Sequence, residues 1–217
     1  MQGKRETAIA DRRARIRAAA KEALLRAPDA SMRDIAEDAA LSVATLYNLF
    51  TNKEAILLDI VEEELDQIDA VLARQRIDDP IERCRAVIEV SVSQFIRHAP
   101  LFRPLLGAIE RQPTTPRRTA VMQRSASRFA EAIVQGVACG QLFDDVAPEI
   151  VARQITWGFV QAIRYWASGD LGHDAFRGQA RLVVELALLA IAAPHARGRH
   201  VQRLAELTPA LSRRARS

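Results

Sequence analysis

Arg33 and Asn48 carry the side-chain donors best suited to the edges of guanine and adenine, respectively. Around them, Ser31, Ser42, Thr45 and Tyr47 offer hydroxyls, and Lys53 offers a full positive charge, all groups that bond phosphate oxygens. Val43 and Ala44 present only small apolar surface, which suits a thymine methyl. Together these residue types point to recognition of double-stranded DNA, in which hydroxyls and cations fix the register and amide or guanidinium donors read the bases. Plainer readings stay open for three of them. Tyr47 could pack its ring on a small core, Thr45 could be an ordinary helical residue, and Asn48 could be merely solvated.

Two short helices must position this set. Ser31 and Asp34 have the spacing of a capping box, so a helix should open there, with Ile35, Ala36 and Ala39 as its apolar face. After a turn at Ala40-Leu41, Ser42 can cap a second helix. Its Leu46 and Phe50, spaced i, i+4, face inward and leave Val43, Ala44, Tyr47 and Asn48 nearer the outside. Thr51 and Glu54 repeat the capping-box spacing ahead of Ala55-Ile56-Leu57-Leu58, so a longer helix is predicted to start beside the second one. Its free N–H groups and the Lys53 charge would favour a phosphate. Leu46, Phe50, Ile35, Leu41, Ile16 and Leu24 are assigned to the small core of this head.

At these residues the chain resembles the TetR family of transcriptional regulators. The family's DNA-binding signature runs through an Ile-Ala, a turn, a Thr-Leu-Tyr, a Phe and a Lys-Glu, which here are Ile35-Ala36, Thr45-Leu46-Tyr47, Phe50 and Lys53-Glu54. The resemblance is tight over roughly the first quarter of the chain and rests on length and helical character beyond it. Two positions depart from the pattern. Ala40 stands where the family usually turns on glycine; if that position needs positive φ, alanine costs about 1 kcal/mol. Leu49 stands where a histidine or aromatic is common, which removes a possible phosphate contact. The resemblance implies a repressor that binds a short palindromic operator as a homodimer and is released when a small effector re-orients the helix after Thr51.

Composition is consistent with such a protein. The 217 residues are 49% hydrophobic, enough to bury a full core, and the net charge of +4 suits a polyanionic partner. Arg12, Arg13, Arg15, Arg17 and Lys21 crowd the first helix, which reads equally as a solvated face or as phosphate contacts, and Lys4 and Arg5 before them favour phosphate contact. Arg197, Arg199, Arg203, Arg213, Arg214 and Arg216 load the tail. Cys84 and Cys139 stand in no metal or redox spacing, and reduced cytoplasmic thiols are the expectation. The opening Met-Gln-Gly-Lys-Arg-Glu does not read as a signal peptide, and the oily run Leu186 to Ala193 is far too short to cross a bilayer, so a soluble, cytoplasmic protein is expected. His98, His173, His195 and His200 have no metal-ligand spacing, and no nucleophile elbow or phosphate loop is present, so neither an enzyme nor a cofactor is expected.

Beyond the head the periodicity reads helical throughout, giving an all-α chain. Helices are predicted from about Thr51 to Arg76, Pro80 to His98, Leu101 to Glu110 (with Pro104 interrupting or beginning it), Pro116 to Cys139, Pro148 to Ser168 and Asp174 to Ala193. Pro113 to Pro116 reads as a linker, and the basic tail as holding one more amphipathic turn or two. Residues 1–52 are assigned to a helix-turn-helix head, 53–195 to a ligand-binding and dimerisation domain, and 196–217 to a basic tail. The last two strong helices are apolar nearly all round, through Leu182, Val183, Val184, Leu186, Leu188, Leu189 and Ile191, while Gly158 and Ala162 permit close approach. Burial inside one monomer is one reading; a two-fold four-helix bundle, favoured by the family resemblance, is the other. Phe95, Phe102, Leu105, Phe129, Ile133, Trp157, Gln161 and Tyr165 suit a cavity for a hydrophobic effector, although aromatics at helical spacing are more often core. The competing function is a helical ligand-binding or scaffold protein with a degenerate DNA head.

Overall fold

A computed structural model of the chain describes residues 2–111 and 114–212, with side chains described for 6–111 and 114–207. The expectations for the side chains of Lys4 and Arg5, and those for Pro113, Arg213, Arg214 and Arg216, lie outside what is described. Among the described residues, ten helices follow in order: α1 (Gln2–Arg26), α2 (Met32–Asp38), α3 (Val43–Leu49), α4 (Lys53–Gln75), α5 (Pro80–Arg97), α6 (Ala99–Glu110), α7 (Pro116–Ala138), α8 (Pro148–Ser168), α9 (His173–Ala190) and α10 (Pro194–Ser212). Extended pairing among the described residues is confined to one bridge, Leu142 to Ala192, which ties the α7–α8 loop to the end of α9. None of these helices is long and apolar enough to cross a membrane.

The chain packs as two compact units. The first comprises residues 1–64 and 98–118, the second 65–97 and 119–217. In the first unit, α1 packs on α2 and α6, and α2 on α3. Its core includes Ile16, Leu24, Ile35, Leu46, Phe50, Ile56 and Phe102, all nearly sealed from solvent, while Leu41 is only half-buried. In the second unit, α9 is the central element and packs on α5, α8 and α10. Four rings fill its middle: Phe176 stacks on Phe159 at 6.0 Å and on Trp166 at 5.1 Å, and Phe95 tilts against Phe159 and Trp166.

Most predicted helix limits lie within a residue or two of those observed, because caps and breakers act locally. Gly140 and Gly169 end α7 and α8 with φ of +75° and +93°, a conformation open to glycine without strain. Two elements differ. Pro104 neither starts nor interrupts α6 but sits inside it; the buried face of Phe102, Leu105, Ala108 and Ile109 outweighs the one lost backbone bond. The basic tail, read as a turn or two, forms α10, whose Ala196 and His200 are buried in the second unit.

Candidate nucleic-acid interface

The turn between α2 and α3 shows how the head is built. Asp34 N–H donates to Ser31 Oγ at 3.3 Å and Ser31 N–H donates to Asp34 Oδ2 at 2.6 Å, completing the capping box. Those bonds hold the Asp34 carboxyl below its ordinary range. Ala40 then adopts φ +51°. Its N–H donates to Glu37 O at 3.0 Å and the Leu41 N–H to Ala36 O at 2.9 Å, a complete Schellman closure made without glycine. The left-handed turn is therefore present, at the steric cost of a Cβ.

Ser42 caps α3, accepting from Thr45 N–H at 3.1 Å, and its hydroxyl also meets Thr45 Oγ1 at 2.8 Å. Both hydroxyls are thus oriented by the cap while each keeps capacity for an outside partner. Leu46 and Phe50 are buried. Ser42, Val43, Ala44, Tyr47 and Asn48 are exposed together on the opposite side, with Thr45 half-buried between them. Tyr47 is 52% exposed, so its ring does not pack into the head's core. Ser31 and Arg33 are exposed on α2.

Two expectations about this surface change. The cap of α4 is Asn52, whose Oδ1 accepts from Ala55 N–H at 2.9 Å, and not Thr51; Glu54 is buried at 4% exposure instead of reaching back outside. Lys53 is half-buried, and this burial, together with the nearby Arg111 charge, lowers its pKa. The basic cluster of α1 is mostly spent within the protein, so it is neither a purely solvated face nor a set of free phosphate ligands. Arg13 and Arg17 pair with Asp59 at 2.5 and 2.9 Å, Lys21 pairs with Glu63 at 2.5 Å, and Arg15 donates to Ala39 O at 2.8 Å. These partners lie 24 to 46 residues away, beyond any local pattern.

The predicted effector-lining residues are divided between the two units. Phe102 and Leu105 are core of the first unit; Phe95, Phe129 and Ile133 are core of the second. Trp157, Gln161 and Tyr165 lie outside the core of the second unit. Spaced i, i+4, i+8, they share the exposed face of α8, with Trp157 at 53% and Tyr165 at 51% exposure. The inward face of α8 belongs instead to Ile155, Phe159, Ala162 and Trp166. Arg153 lies over the Trp157 ring at 5.5 Å. On α9, Leu186 is 51% exposed, and Leu182 and Leu189 are half-buried.

A groove of about 490 Å³ opens in the second unit between α5, α9 and α10, and its walls mix the charged Glu82, Arg85, Glu89, Arg181, Glu185 and Arg203 with the apolar Ile88, Val184 and Leu207. At its base, Arg85 grips Glu185 with bonds of 2.6 and 2.9 Å, and His200 Nδ1 meets the same carboxylate at 2.9 Å. Sequence spacing held no sign of this cluster, since its members are up to 100 residues apart. Among the described residues no group of His, Cys, Asp and Glu is placed to hold a metal ion.

Comparison with known proteins meets the same head. Residues 16–60 match the family described as bacterial regulatory proteins, tetR family. No curated protein sequence matches the chain. Among solved structures, it is similar to FadR from Thermus thermophilus, a transcriptional repressor in complex with lauroyl-CoA, at 24% identity and TM-score 0.66, covering 84% of this chain and 97% of that one. It is also similar to FadR from Bacillus subtilis in complex with stearoyl-CoA, at 20% identity and TM-score 0.64, covering 80% and 96%. A third is SmeT, the repressor of a Stenotrophomonas maltophilia multidrug efflux pump, at 20% identity and TM-score 0.60, covering 85% and 92%. At these identities the likeness is one of fold.

Proposed function

We propose that this chain is a regulator of the tetR family, a ligand-responsive repressor that binds a short palindromic operator as a homodimer and is released by a hydrophobic small molecule. The observation that carries the reading is the exposed row Val43, Ala44, Tyr47 and Asn48, on a capped helix whose Leu46 is sealed in the core. Such a helix has no packing role for its outer face and carries the donors and methyl-sized groups that the major groove requires. Asn48 and Arg33 read bases, Val43 and Ala44 touch thymine methyls, and Ser31, Ser42, Thr45, Tyr47 and Lys53 hold phosphates. Ala40 keeps the turn closed, which favours a working head over a degenerate one.

The dimer rests on the outward α8–α9 face, where Trp157, Tyr165 and Leu186 leave large apolar surface uncovered in the isolated second unit. Trp157, Gln161 and Tyr165 are accordingly reassigned from the effector to this contact. Phe95, Phe129 and Ile133 of one unit, and Phe102 and Leu105 of the other, remain as apolar residues for an effector. Acyl-CoA bound to FadR is a precedent for the ligand class. Functionally, residues 1–52 serve DNA and 53–195 serve effector and dimer, with 196–217 as a basic extension.

The test is selection of bound fragments from the source genome, followed by affinity measurement across salt concentrations. A shared inverted repeat is expected, bound with an affinity that falls steeply with salt, by a slope of about 0.9 per phosphate contacted. Tyr47→Ala should weaken binding about tenfold with an unchanged melting temperature. Random fragments, or equal binding by wild type and Tyr47→Ala, would count against the head as the DNA surface.

A further inference from the structure

Asp59 on α4 joins two other helices in the first unit. Its side chain is only 7% exposed, yet it receives three guanidinium groups. Oδ1 accepts from Arg13 of α1 at 2.5 Å and from Arg117 of α7 at 2.8 Å; Oδ2 accepts from Arg17 of α1 at 2.9 Å. Burial opposes the charge on this carboxyl, but the bonds from Arg13, Arg117 and Arg17 outweigh it and keep the group ionised.

Two of these arginines reach further. The Arg13 guanidinium lies over the Phe50 ring, 4.7 Å from its centroid. Phe50 is the C-cap of α3, its N–H donating to Leu46 O at 2.8 Å, so Arg13 holds the end of the helix that carries Tyr47 and Asn48. Arg117 is in the first turn of α7 and also donates to Ala55 O at 2.9 Å and Glu62 Oε2 at 2.6 Å, clamping two turns of α4. Helix α7 continues past Arg118 into the residues of the second unit.

We propose that Asp59 and Arg117 are positioning residues for α3: Arg117, in the first turn of α7, bears on the recognition helix through the shared Asp59 oxygen, Arg13 and Phe50. The physical device is competition. Two like-charged guanidinia hold one carboxylate oxygen between them, so withdrawing Arg117 leaves that oxygen to Arg13 alone and lets the Asp59–Arg13 pair relax. Arg13 cannot follow without moving over Phe50. This is a two-state linkage in which α7 and α3 share one buried anion. It rests on the reading that α3 meets DNA, but the linkage itself can be measured without DNA.

Hydrogen–deuterium exchange of the full chain, free of DNA, resolves it. Arg117→Gln should raise exchange at the amides of Leu46 to Phe50 by about three- to tenfold, although the substituted residue touches neither. Arg118→Gln makes the same charge change one residue along, where the side chain bonds Ile109 O and Glu110, and should leave α3 at the wild-type rate. Arg117→Lys, which keeps the charge but loses the fork, should give an intermediate rise of about twofold, and it carries the test if Arg117→Gln does not fold. Wild-type exchange across α3 in Arg117→Gln or Arg117→Lys overturns the proposal, as does an equal rise in Arg118→Gln. If the exchange pattern is as expected but the wild-type protein selects no DNA, the linkage stands and the repressor reading fails.

Discussion

Gly158 of α8 lies so close to α9 that a Cβ added to it would come within 2.7 Å of Val183 Cγ1 and 3.0 Å of Cγ2. The obstructing atoms belong to a β-branched side chain with little rotamer freedom, so they cannot swing clear. The close approach permitted by Gly158 is therefore used inside one chain. Gly158→Ala should destabilise the protein by about 1–2 kcal/mol, overpacking exceeding the gain in helix propensity. Thermal unfolding followed by circular dichroism measures this, and an unchanged or raised midpoint would show that α9 yields.

Ala40 offers a change in the opposite direction. Its φ of +51° is adopted to close α2, and both Schellman bonds are already made. Ala40→Gly removes the Cβ strain while adding freedom to the unfolded chain, for a net gain of up to about 1 kcal/mol. Denaturant unfolding should show a higher midpoint at an unchanged slope.

Acid sensitivity should concentrate at Glu185. Burial at 4% exposure opposes its charge, but His200 and Arg85 bond it and bring its pKa down from 4.5 to about 2. A carboxyl whose folded value is depressed contributes stability that is complete above pH 4.5 and is lost as pH falls toward about 2. Glu185→Gln should cost about 3 kcal/mol at neutral pH, because Arg85 and His200 are left facing a neutral group. It should also flatten the fall in stability between pH 4.5 and 2. Parallel wild-type and variant curves through that window would remove the assignment.

The outward apolar face of α8 and α9 makes the oligomer testable. Leu186→Glu places a charge at a half-exposed position of the proposed contact, where a monomer would tolerate it within about 0.5 kcal/mol. In sedimentation velocity the wild type should run as a dimer and Leu186→Glu as a folded monomer, with Trp157→Ala weaker than wild type. Identical sedimentation of all three would place the contact elsewhere.

What the amino-acid sequence determined by itself is local. The Ser31–Asp34 box, the Ser42 cap, the turn at Ala40, the inward Leu46 and Phe50 and the outward Tyr47 all follow from spacings of three or four residues, which a helix converts directly into contact. Local spacing also erred at the start of α4, where Asn52 and not Thr51 is the cap and Glu54 is buried. Tertiary structure alone decided which way α8 turned Trp157 and Tyr165, because an apolar stripe records that a side chain avoids water and not what covers it. It alone decided that Arg13, Arg17 and Arg117 converge on Asp59 and that His200 and Arg85 converge on Glu185, since a charge meets its partner through space and carries no mark of that partner in the chain.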